Sequence, residues 1–184
     1  MTSVKVLIPS VAIEVILHKQ LWQRTSLRNL TLCLAGINAY WFATTLNWSF
    51  LETPFFLKSP HLSDQQKVGY RRQRFNWLNK IEIAVTVLGL DLYCEWRKRI
   101  LDNNGYIDAC LARSIWIPAT VTAIQAVYLL PKLNKKSKEI PSSTQSNEKC
   151  ASFPKAHCAY IGFEAVKLTG LAVAGLRFGK MLTL

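Results

Sequence analysis

The sequence predicts an all-α protein: a four-helix transmembrane bundle preceded by a short amphipathic N-terminal helix. Of its 184 residues, 50% are hydrophobic and only 18% are charged, which is below the ~25% charged residues typical of soluble domains. The apolar residues are concentrated in long runs, and residues 30–51 carry no charge at all. At ~1.5 Å per residue, a helix of that length crosses a ~30 Å hydrocarbon core.

The net charge favours a lipid partner. Lys and Arg total 23 against 11 Asp and Glu, a formal net charge of +12. The basic residues occupy short segments beside the apolar runs, where they can contact phospholipid headgroups. A nucleic-acid-binding protein would instead line one face of a soluble fold with them. We therefore expect an integral protein of the endoplasmic reticulum or mitochondrial inner membrane, with the bilayer and other membrane subunits or its own copies as partners.

Residues 1–28 are the first predicted element. Val4, Leu7 and Val11 recur at helical spacing, and Pro9 interrupts the first turns. The apolar part is too short for a membrane span. We expect an interfacial amphipathic helix, and a cleaved targeting segment is the alternative.

Four apolar segments follow and are the predicted spans. They cover residues 30–51, 78–96, 107–130 and 156–176. The last three contain charged residues, which are stable in lipid only when they face protein or water. Residues 132–155 are rich in Lys, Ser, Asn and Gln, a composition that predicts a flexible basic loop.

Charged residues inside the predicted spans suggest an ion pair. Each costs roughly 2.5–3.5 kcal/mol on insertion, so oppositely charged residues at similar depth should pair. Counted along the spans, Asp91, Lys167 and Arg113 lie within ~9 Å of each other in depth. We predict that Asp91 pairs with Lys167 or Arg113. Glu82 stands nine residues before Asp91 and should face the opposite side of its helix.

A polar stripe opens the fourth predicted span. His157, Tyr160, Glu164 and Lys167 are three or four residues apart and share one helix face. The candidate ligand or proton site comprises Asn79, Glu82, His157, Tyr160 and Glu164, and Asn47 and Gln125 lie at a similar depth. The alternative is structural, because polar residues on one face often only hold transmembrane helices together.

Several kinds of chemistry are not predicted. His157 and Glu164 are two turns apart in a chain with three His, so no metal site is expected. Gly-x-Ser-x-Gly, the P-loop and Gly-x-Gly-x-x-Gly are absent, so no catalytic residue and no cofactor are assigned. The five Cys include no Cys-x-x-Cys pair, which disfavours a thiol–disulfide oxidoreductase.

Four blocks of sequence resemble a family of small uncharacterised four-span membrane proteins. They are FLETP at residues 50–54, FNWLNKIE at 75–82, QAVYLLPKL at 125–133 and the polar stripe at 157–167. The resemblance covers residues 30 to 178 and implies the four-span architecture. That family has no established reaction.

Residues 70–82 show a second, weaker resemblance, to helix two of the MAPEG family. Members are four-span trimers, many of which conjugate or isomerise lipids with glutathione. The resemblance implies that Arg74, Asn79 and Glu82 would bind the tripeptide, although Arg74 stands five rather than four residues before Asn79.

Three functions follow from these patterns. The first is a non-enzymatic accessory subunit of a membrane complex, and the second is a MAPEG-like glutathione-dependent membrane enzyme. The third is a small proton-coupled transporter that uses Glu82, Glu164 and Lys167.

Overall fold

The computed structural model describes residues 3–58, 60–61, 63–138 and 152–183, which form helices and no strand. The predicted all-α class is therefore confirmed. The helices are α1 (Leu7–Gln20), α2 (Leu27–Leu46), α3 (Thr53–Leu57), α4 (Asp64–Asp102), α5 (Ala109–Ile124), α6 (Leu130–Lys138) and α7 (Ser152–Leu182). Two π-helical turns, Asn47–Glu52 and Gln125–Leu129, continue α2 into α3 and α5 into α6.

The ends of α4 follow from local sequence. Ser63 and Gln66 form a reciprocal capping box at its start, so α4 begins well before the predicted span 78–96. At its end Asn104 adopts a left-handed φ of 57°, and the Gly105 N–H donates to the Ile100 carbonyl at 2.8 Å. A Cβ on Gly105 would lie 2.7 Å from Ile100 Cγ2, which explains why this turn needs glycine.

The four long helices pack against one another. α7 packs against α2 and α5, and α4 packs against α2, α5 and α1. α5 and α7 approach each other closely at Gly170, where a Cβ would lie 2.8 Å from Pro118 Cγ and 3.2 Å from the Ser114 carbonyl oxygen. Pro118 has no N–H to donate to the carbonyl oxygen of Ser114 four residues before it, so one helical hydrogen bond of α5 is missing there. α7 packs over this point of α5.

Two apolar cores lie at opposite ends of the long helices. One comprises Trp22, Leu30, Leu34, Leu92, Tyr93, Trp96, Leu111, Ile115, Ala174 and Phe178. The other comprises Phe75, Leu78, Leu129, Leu130 and Tyr160. On α4, the first core extends as far as Leu92 and the second begins at Leu78. On α7, the corresponding limits are Ala174 for the first core and Tyr160 for the second. The segments between these limits carry the polar residues of the candidate site.

The four predicted spans are only partly supported. Within the described ranges, two helical stretches are long and apolar enough to cross a membrane: Ala109–Lys135 and Cys158–Leu182, each with a mean hydropathy of 1.3. They correspond to the third and fourth predicted spans. α2 is uncharged between residues 30 and 46 but carries Asn38 and several Thr and aromatic residues, and α4 carries too many charges. Of the predicted flexible loop 132–155, residues 132–138 belong to α6 and residues 152–155 to α7, so these parts are helical. Residues 139–151 lie outside the part of the chain that the structure describes.

The N-terminal helix α1 forms where the sequence predicts it, but its polarity differs from the usual amphipathic pattern. Ile8 is 77% exposed, and Ile13 and Ile16 are also exposed, whereas Glu14 is only 5% exposed. α1 packs against α4 with Glu14 facing protein and Leu17 against the first apolar core, while Ile8, Ile13 and Ile16 face outward. This arrangement suits an apolar environment better than water.

Candidate functional site

Lys167 is the centre of a buried polar network. Its side chain is 0% exposed. Its Nζ lies 2.6 Å from Glu82 Oε1 and 3.1 Å from Glu164 Oε1. Gln125 Nε2 donates to the same Glu164 oxygen at 2.7 Å. One ammonium group is therefore shared by two carboxyl groups inside the fold.

Helix α2 completes the network through Glu82. Thr45 Oγ1 donates to Glu82 Oε1 at 2.9 Å, and Trp41 Nε1 donates to the same oxygen at 3.3 Å. With Lys167, this oxygen has three donors. The network thus joins α2, α4, α7 and the turn that follows α5.

Local structure explains how these side chains meet. Glu164 and Lys167 are three residues apart on α7 and share a face, as Asn79 and Glu82 do on α4. Gln125 opens the π-helical turn after α5. Such turns widen the helix locally and are frequent at functional sites.

Several polar atoms of the site have no hydrogen-bond partner in the described parts of the chain. They are Asn79 Nδ2 and Oδ1, Glu82 Oε2, Gln125 Oε1, Tyr160 OH and Glu164 Oε2. Leaving a buried polar group unpaired costs ~1–3 kcal/mol. A cluster of such groups indicates that protons, water or a small ligand complete the site.

The structure brings most of the predicted site residues together. Asn79, Glu82, Tyr160 and Glu164 are all fully buried, and Lys167 joins them. The side chain of His157 lies outside the described residues. Gln125 belongs to the network, whereas Asn47 donates to Glu52 at the surface at 2.7 Å. The shared face of Tyr160, Glu164 and Lys167 is confirmed.

The predicted ion pair of Asp91 is wrong. Lys167 pairs with Glu82 and Glu164, Arg113 is exposed, and Asp91 Oδ2 lies 2.8 Å from His18 Nδ1. Depth alone had suggested the pairing, but Asp91 faces α1 rather than α7. The prediction that Glu82 and Asp91 face different sides of α4 is confirmed.

Asp91 belongs to a second polar cluster between α1 and α4. Trp22 Nε1 donates to Glu14 Oε1 at 2.6 Å. Burial, together with the neighbouring Asp91 carboxylate, raises the pKa of Glu14 from 4.5 to about 7, against the opposing effect of the Trp22 hydrogen bond. This cluster fixes α1 to α4 through its polar side.

The residues that would bind glutathione do not form one surface. Arg74 pairs with Glu52 and lies over the Trp48 ring, 5.0 Å from its centroid. Asn79 and Glu82 are fully buried. Glu82 is already bonded to Lys167.

Sequence analysis missed Trp41 and Thr45. The signal was present, because a carboxylate inside a predicted span needs donors and these two residues are four apart on one face of α2. Asn47 was taken as the polar residue of that helix instead. The π-helical turn Asn47–Glu52 carries the chain out of regular α-helical phase at this point.

Comparisons of the chain with protein-family models, curated proteins and solved structures find no match. Both resemblances in the sequence therefore remain expectations. The chemistry of the site itself is the basis for any functional conclusion.

Proposed function

We propose that this chain is a multi-pass integral membrane protein in which α2, α4, α5 and α7 all cross the bilayer, and that it acts as a non-catalytic subunit of a membrane assembly. The observation that carries the proposal is the distribution of polarity. Lys167, Glu82 and Glu164 are 0% exposed, whereas Phe55 is 83% and Leu176 75% exposed. Three charged side chains are therefore enclosed by protein, while several large apolar side chains are exposed.

Lipid accounts for this distribution better than water does. Burying ionised groups is costly unless they are paired, and here every charged group of the network has a partner. In a bilayer the exposed apolar side chains are in a favourable solvent, and inward-facing polar groups help the helices associate. The network bonds α2 and α4 to the two apolar stretches, Ala109–Lys135 and Cys158–Leu182. This supports a location of all four helices at the same depth.

Native cysteines permit a direct topology test. Cys110 and Cys158 are both exposed and lie near the starts of α5 and α7. Two variants, each retaining only one of them, are placed in sealed membrane vesicles with a membrane-impermeant maleimide. We expect Cys110 and Cys158 to react from opposite sides. Reaction of both from the same side would refute the proposed crossing of α5.

The subunit role needs a separate measurement. The chain is extracted in mild detergent, and its mass is measured in native form. A defined complex with other proteins supports the proposal, whereas a pure monomer or homo-oligomer from native membranes contradicts it. A Phe55→Ser variant, altered on the exposed surface, tests whether that surface holds the assembly together.

A proton-coupled carrier is the second candidate, because the network has two carboxyl groups for one ammonium group and several unpaired oxygens. Reconstituted vesicles should then show a pH-dependent solute flux that Glu164→Gln abolishes. No flux over a broad solute panel would count against it. The MAPEG-like interpretation has less support, since Glu82 is bonded to Lys167 and Arg74 to Glu52.

A further inference from the structure

We propose that the network binds one proton at neutral pH and that Glu164 Oε2 carries it. The site is thus a proton-binding site built into the interior of the fold. The inference depends on the burial and contacts of three side chains. It holds whether the chain is a subunit or a carrier.

The charge balance of the site requires a proton. Glu82, Glu164 and Lys167 are each 0% exposed, so water cannot screen an imbalance. Fully ionised, they would leave one uncompensated negative charge in a medium of low dielectric constant, where proteins neutralise a group instead. One of the two coupled carboxyl groups then binds a proton.

Among the side chains that the structure describes, those facing the network come from four parts of the fold. They are Trp41 and Thr45 from α2, Glu82 and the fully buried Asn79 one turn before it on α4, Gln125 from the turn after α5, and Tyr160, Glu164 and Lys167 from α7. Only Glu82, Tyr160, Glu164 and Lys167 among them are titratable. None of these described groups supplies a second positive charge.

Hydrogen-bond donors decide which carboxyl group holds the proton. Glu82 Oε1 accepts from Lys167 at 2.6 Å and from Thr45 and Trp41 as well. Glu164 Oε1 accepts from Gln125, and its contact with Lys167 is longer, at 3.1 Å. More donors favour the ionised form, so the donor pattern places the proton on Glu164.

A fully buried hydroxyl lies on the same face of α7 as Glu164. Tyr160 is 0% exposed, and neither its OH nor Glu164 Oε2 has a hydrogen-bond partner among the described residues. A proton on Oε2 removes the negative charge from this unpaired oxygen and makes it a hydrogen-bond donor. The step transfers one proton from a hydronium ion to the carboxylate and leaves water and the neutral acid, without any change of oxidation state.

Infrared spectroscopy of the full chain in lipid vesicles at pH 7 tests whether the network holds the proposed proton. The C=O stretching band of a protonated carboxylic acid is separate from the bands of carboxylates. Glu164→Gln should remove one equivalent of the acid band and leave carboxylate intensity unchanged. Glu82→Gln should also remove one acid equivalent, because the remaining Glu164 and Lys167 then neutralise each other. Lys167→Met should add one acid equivalent.

Glu52→Gln is the matched control, since Glu52 is exposed and paired with Arg74, and it should lose carboxylate intensity only. The inference is overturned if Glu164→Gln and Glu82→Gln both lose carboxylate intensity with the acid band unchanged. The circular dichroism signal of the helices shows whether each variant folds. If one Gln variant does not fold, the other still tests whether the network holds a proton. A negative result here leaves the subunit role intact, because that role is decided by native mass.

Discussion

Replacing Lys167 with methionine is the sharpest test of how the fold is held together. Methionine keeps the length of the aliphatic stem, so little packing volume is lost. The ammonium group is removed, and with it the contacts of 2.6 Å to Glu82 and 3.1 Å to Glu164. Two carboxyl groups then remain buried without a cation.

The expected cost can be worked from those contacts. A hydrogen bond to a charged group contributes ~1.5–3 kcal/mol, so two would sum to ~3–6 kcal/mol. Removing one partner of a buried ion pair costs ~3–5 kcal/mol. We therefore expect Lys167→Met to lower the free energy of unfolding by about 3–5 kcal/mol.

A double-mutant cycle separates the pairing from other effects. Unfolding is followed by circular dichroism in mixed detergent micelles for Lys167→Met, Glu82→Gln and the double variant. The double variant should be less destabilised than the sum of the single variants by about 2 kcal/mol, since residues in one network couple by ~0.5–3 kcal/mol. Lys180→Met, an exposed position on α7, is the control and should be near neutral. Additive costs within ~0.5 kcal/mol would refute the pairing.

Three further predictions concern packing and the second polar cluster. Gly170→Ala should lower the unfolding temperature in micelles, because its Cβ would lie 2.8 Å from Pro118 Cγ, and an unchanged temperature would show that the two helices can separate freely. Asp91→Leu should release α1, seen as faster proteolysis between α1 and α2, since His18 loses its partner at 2.8 Å, whereas Asp91→Asn should retain more of the protection. Glu14 has a folded pKa of about 7 against 4.5, so the native state binds the extra proton and stability should fall as pH rises from 4.5 to 7. Glu14→Gln should flatten that dependence, and an identical pH profile in the variant would contradict the assignment.

Much of the helical structure could be predicted from sequence because its signals are local. Uncharged runs and the spacing of Tyr160, Glu164 and Lys167 indicated helices and a shared face. The start of α4 was missed, since the Ser63 capping box lies outside the apolar run that predicted a span over residues 78–96. The outward apolar face of α1 was missed because composition does not show which side of a helix meets protein.

By itself, the sequence determined the all-α class and the approximate positions of the long helices. It also grouped Asn79, Glu82, His157, Tyr160 and Glu164 as one candidate site, but it assigned Lys167 to a different ion pair. The tertiary structure alone decided which partner each charge takes. The depth of a residue along a helix can be counted from the sequence. The partner that its side chain meets depends on which neighbouring helix lies on that side, and only the tertiary structure gives this. Asp91 therefore meets His18 of α1, and Lys167 is shared by two glutamates. The partner of a buried charge depends on how helices that are far apart in sequence pack against each other, and no single stretch of the chain shows that packing.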